Sequence, residues 1–106
     1  MKQPLLYEKL NLETARIQWA DLERHFARGV VIVIDENLDL PNIAEKMACD
    51  DASFIQKMIQ QNKIHTPTDQ EALLWSSNQQ EFWAVVVAPY VLIQLATSSL
   101  HPSSIQ

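Results

Sequence analysis

One glycine in 106 residues, Gly29, leaves no way to write a phosphate-cradling loop, since those loops need several. One cysteine, Cys49, excludes an internal disulfide and any multi-cysteine zinc site, and it suits a reducing cytoplasm. Cations are scarce as well. Eight Lys and Arg face thirteen Asp and Glu, giving a net charge of -5, which phosphate backbones and anionic lipid surfaces repel. The longest apolar run, FWAVVVAPYVLI over residues 82–93, falls short of the ~20 residues that a spanning helix needs. The first ten residues, MKQPLLYEKL, are charged and lack the apolar centre of a signal peptide, so a cytoplasmic protein is expected.

What is present is a globular composition, 47% apolar and 20% charged, long enough for one small core. The sequence predicts a single α+β domain over 1–96 and a flexible tail over 97–106, where TSSLHPSSIQ has little to pack. Leu12, Ala15, Trp19, Leu22 and Phe26 recur at helical spacing, so residues 5–28 read as one helix or a broken pair, ending at Gly29. VVIVI at 30–34 reads as a strand covered on both faces. Asp39 with Pro41 opens a short helix that buries Leu40, Ile43, Ala44 and Met47. Asp50 is expected to cap a second, with Phe54, Ile55, Met58 and Ile59 inward and Asn62 closing it. Thr68 and Glu71 form a capping box before a third, carrying Ala72, Leu73 and Trp75. WAVVVAPYVLIQ is extended and bent at Pro89. The expected order is helix, strand, three short helices and a bent C-terminal strand. It makes a small antiparallel sheet in a winged-helix-like order.

The segment DLPNIAEKMACDDASFIQKMIQQNKI has the outline of a helix-turn-helix, but a recognition helix presents its N-terminus to DNA. Here that end carries Asp50 and Asp51, and no basic cluster accompanies Gln56, Lys57, Gln60 and Gln61. Nucleic acid is therefore disfavoured as a partner, and a winged-helix-like regulator is the alternative reading. Arg24, His25 and Arg28 make the best cationic patch. It reads either as an anion or partner site or as charge complementing a helix dipole. Asp35, Glu36 and Asp39 lack the glycine of a calcium loop, and His65 and His101 have no ligand spacing to one another. Cys49 has no activating base near it in sequence, and Trp19, Trp75 and Trp83 read as core anchors. No catalytic residue, metal ligand or cofactor site is assigned, and the protein is expected not to be an enzyme.

Over residues 5–95 the chain resembles a small bacterial family, domain of unknown function 2288. The resemblance is carried by LYEKLNLETARIQW, by HFARG before a strand, by LDL, by DD at the turn and above all by WAVVVAPYVLIQ. Tyr90 and Asn62 stand where the family leads one to expect tryptophan and glycine. The resemblance implies a bacterial cytoplasmic protein and brings no activity with it.

A sheet of two or three strands would leave apolar edges open, which proteins seldom tolerate. AP is also poor chemistry for a two-residue hairpin turn, so the bend at Pro89 is expected to divide the stretch into two arms. The sequence therefore predicts a homodimer with its interface at Trp83, Val85, Val87, Pro89, Tyr90, Val91 and Ile93. The function expected is that of a non-catalytic cytoplasmic interaction or regulatory domain acting as a homo-oligomer, with another protein partner possible and no membrane role.

Overall fold

The computed structural model describes residues 2–96, so the expected tail over 97–106 lies outside the described residues. Helix α1 (Lys2–Glu13) is followed by strand β1 (Ala15–Gln18), helix α2 (Trp19–Ala27), strand β2 (Val31–Ile34) and helices α3 (Leu40–Ala48) and α4 (Ala52–Gln60). Strand β3 (Ile64–His65), helix α5 (Asp69–Ser77) and strands β4 (Glu81–Val87) and β5 (Tyr90–Leu95) complete an α+β fold.

The five strands form one sheet in the order β1-β4-β5-β2-β3. All pairs are antiparallel except β2 with β5, which is parallel, so the sheet is larger than the sequence suggested and mixed. Helices cover both faces. Leu10, Leu40, Ile43 and Ala44 pack with Ile34, Val85 and Leu92 on one side, under α1, α3 and α4. Trp19, Leu22 and Trp75 pack with Val31, Val33, Phe82, Val91 and Ile93 on the other, under α2 and α5. Strand alternation sorts these residues: Leu92 points one way, and Val91 and Ile93 the other. The second cluster is aromatic at its centre. Trp19 lies 5.1 Å from Trp75 and 6.0 Å from Phe82, and Trp75 meets Phe82 edge-on at 5.0 Å.

Several sequence expectations change. Of the one helix or broken pair read over 5–28, the broken pair forms, but with strand β1 in the break, and the Thr14 hydroxyl donates to the Leu10 carbonyl just past the end of α1. That break resets the helical phase, so Leu12 is 85% exposed and Ala15 faces solvent from a strand. Asp50 is not the cap of α4. It takes a left-handed φ of 59° after α3, and Asp51 accepts from the Phe54 amide instead. The stretch at 82–95 is a hairpin, with Val87 opposite Tyr90 across Ala88–Pro89. The Ala88–Pro89 peptide is cis. Thr68 and Glu71 form the capping box and β2 is central, as read, but Ile59, read as inward, is 49% exposed on α4.

Four helices end in the same way, with a left-handed residue one position past the cap: Gly29, Asp50, Asn62 and Gln79. In each case the next amide returns to the last turn, as Val30 does to His25, Asp51 to Lys46, Lys63 to Met58 and Gln80 to Trp75. Gln79 is the residue least suited to its φ of 54°, having no short side chain to offset the clash of Cβ. Gln79→Gly should raise stability by roughly 0.5–1 kcal/mol, visible as a melting point a few degrees higher. An unchanged or lower midpoint would refute the assigned strain.

One tie joins the first and third helices. The Tyr7 hydroxyl donates to Asp39 Oδ2 at 2.6 Å, which leaves Asp39 without a capping bond on α3. That hydrogen bond, with the nearby negative charge of Asp39 and Glu45, raises the Tyr7 phenol above its ordinary value of 10.0. A raised folded value means that the contact stabilises fully below pH ~10 and loses its effect as pH climbs through the folded value. Wild type should therefore lose more stability than Tyr7→Phe between pH 9 and pH 11, in parallel thermal melts. Equal losses would place the alkaline transition elsewhere.

Candidate interaction surfaces

The sheet has two edges, and they differ in length. β3 is two residues long, whereas β1 offers four, of which Ala15, Arg16 and Gln18 are exposed and Ile17 half-buried. Trp19 donates its amide to the Gln80 carbonyl at 2.9 Å, and Ala96 donates to the Glu81 carbonyl at 3.1 Å. In the alternating ladder of an antiparallel pair, Ala15 and Ile17 therefore turn their backbone groups towards β4. Arg16 and Gln18 turn theirs to solvent. The Arg16 side chain pairs with Glu81 and lies 5.0 Å over the Trp83 ring, so it lies along the sheet face. Neither proline nor glycine interrupts this edge.

Beside the edge, on the α2 face, the helical cover stops short of the hairpin end. Val86 belongs to an interior strand and is nonetheless 59% exposed. A groove of about 400 Å³ opens there, floored by Ala84, Val86, Ala88 and Pro89 of the hairpin and by Ala15 and Ile17 of β1. Leu22, His25 and Arg28 wall it from α2, and Glu13 and Arg16 stand at the β1 end. Gly29 with its φ of 76° turns the chain from α2 into β2, and so leaves Arg28 at the helix end above the groove.

The cationic patch expected from sequence is thus divided: His25 and Arg28 line the groove and Arg24 does not. Of the residues expected at a dimer interface, Val85, Val91 and Ile93 are buried in the chain's own core and offer a partner nothing. Trp83 and Tyr90 are each 39% exposed, and Pro89 is exposed. The sheet edge assumed to run along this stretch does not exist, because β4 and β5 are interior strands. The real edge, β1, was hidden inside a helical reading. A run of four residues with polar Arg16 and Gln18 alternating with Ala15 and Ile17 was its only sequence signal.

The other candidates do not converge. Arg16 lies on β1 and Lys63 beside β3, at opposite sheet edges, while α2 and α4 cover opposite faces, so Arg16, Arg24, Arg28, Lys57 and Lys63 do not line up as a basic face for a nucleic acid. A second cavity of about 430 Å³, lined by Met47, Ile55, Tyr90, Asp50 and Asp51, lies across the hairpin tip from His25, with Ala88 and Pro89 lining both. Asp35 Oδ1 accepts from the Asn37 amide, a local turn bond. His65 meets Glu71 at 3.1 Å. Among the described residues no three His, Cys, Asp or Glu gather as a metal site, and no helix is long and apolar enough to cross a membrane. Cys49 is exposed in the turn between α3 and α4.

Residues 5–95 match the family described as "Protein of unknown function (DUF2288)". The chain is similar to a solved structure, the NMR solution structure of PA1075 from Pseudomonas aeruginosa, with 36% identity and a TM-score of 0.78. That likeness covers 92% of this chain and 90% of the other. No curated protein matches.

Proposed function

The chain belongs to the DUF2288 family of proteins of unknown function, and within it we propose a non-catalytic cytoplasmic interaction domain that pairs with a second copy of itself along β1. The observation that carries this reading is the outward backbone of Arg16 and Gln18 on an uninterrupted edge. Two such edges meet about a two-fold axis when Ile17 lies opposite the partner's Ile17. Arg16 then faces Gln18 of the partner subunit, and a reciprocal pair of backbone hydrogen bonds forms on each side of the axis. No like charges oppose one another in that register. Leu12, 85% exposed at the end of α1 just before the edge, adds apolar surface for the contact to cover.

Sedimentation equilibrium at micromolar concentration tests the proposal. The expected mass is about twice the 12.1 kDa of one chain, and a clean 12.1 kDa species would overturn it. The same reading expects random duplex DNA to leave fluorescence anisotropy unchanged at physiological salt. Micromolar binding that weakens steeply with added salt would favour a nucleic-acid regulator instead.

A further inference from the structure

The groove on the α2 face combines two features that the homodimer does not use. Its floor is apolar and shallow, built from Ala15, Ala84 and Ala88 around the exposed Val86. Its α2 wall carries Arg28 beside the His25 imidazole, with Glu13 away at the β1 end, and among the described residues neither Arg28 nor His25 has a carboxylate within ion-pair distance, although the whole chain carries a net charge of -5. An acidic protein that holds an unpaired arginine and an imidazole above an uncovered apolar strand face presents a complement to something both apolar and acidic.

We propose that this groove receives an extended acidic segment of another protein, with apolar side chains on Val86 and a carboxylate reaching Arg28 and His25. An extended chain alternates its side chains, so one face can carry the apolar contacts while its neighbours bear charge. The groove is too open to enclose a small ligand, since binding pockets for small molecules cover most of the ligand surface and Val86 here is 59% exposed. A nucleic acid would bring many phosphates to a site with few cations and strong repulsion from the remainder of the chain. The proposal rests on the interaction reading alone and not on the two-fold contact. The groove lies on the sheet face, whereas the dimer uses the β1 edge, so a monomeric mass would leave it standing.

The test is fluorescence anisotropy of the full chain with two labelled hexapeptides, one alternating Leu and Asp and the other alternating Leu and Lys. The acidic peptide should bind at least about ten-fold more tightly than the basic one, as charge-assisted hydrogen bonds imply. Arg28→Glu should weaken acidic-peptide binding by a similar factor. Arg24→Glu changes net charge identically from the same helix but outside the groove, and should weaken it far less. Equal binding of the two peptides, equal losses in the two variants, or no binding of either peptide at millimolar concentration would each overturn the proposal. Far-ultraviolet circular dichroism of both variants confirms that each comparison is made on folded protein.

Discussion

Trp19→Ala should destabilise the chain by about 3–5 kcal/mol, a large share of its total stability. Trp19 is 1% exposed and touches Phe26, Trp75 and Phe82, so its removal opens a cavity at the centre of the aromatic cluster. Truncations of this kind cost about 3–5 kcal/mol, against a total stability of about 5–15 kcal/mol for a domain of ordinary size. The cost sits towards the upper end because the cavity walls come from two helices and the sheet, which cannot close in together. Trp83→Ala supplies the contrast, since Trp83 is 39% exposed and stacks mainly under Arg16. Urea denaturation should show a large drop in midpoint for the first variant and a small one for the second. Similar midpoints would mean that the aromatic cluster is not the keystone of the α2 face.

The second large effect is expected on mass rather than on stability. Arg16→Pro removes an amide that points away from β4, so the pairing of β1 with β4 survives while the outer edge loses a donor. Proline is tolerated at an edge position of this kind, and it blocks the addition of another strand. Arg16→Pro should therefore sediment as a monomer. Arg16→Ala, which loses the pair with Glu81 but keeps the amide, should remain a dimer. If both variants stay dimeric, the two copies meet elsewhere; if both are monomeric, the Arg16 side chain and not the edge amide holds them.

Much of this architecture could be read where local chemistry alone decides the structure. The capping box at Thr68 and Glu71, the left-handed turns at Gly29 and Asn62 and the strand at VVIVI depend on neighbours within a few residues. β1 could not be read in this way. Ala15–Gln18 is held as a strand by its register with Glu81–Ala84, some 65 residues away, and its alternation is too short to outweigh the helical spacing around it. The hairpin turn failed for another reason. Val87 pairs with Tyr90 across Ala88–Pro89, and the usual hairpin signals of glycine and asparagine were absent. The surfaces followed the same division. His25 and Arg28 were visible as basic residues in the sequence, but the apolar floor beside them appears only when the hairpin is folded against β1.

The strand order also governs when the molecule can assemble during its synthesis. β5, which pairs with both β4 and β2, is the last strand to be made, and β1 has no partner until β4 exists. A ribosome adds residues at about 5–20 per second, so the apolar β2 waits on the order of 3–10 s for the strand that will lie against it. During that interval Val31–Ile34 has only the two residues of β3 to pair with. The nascent chain therefore presents its most β-prone segment before it can be covered, and chaperone demand should fall on the stretch upstream of the hairpin rather than on the hairpin itself.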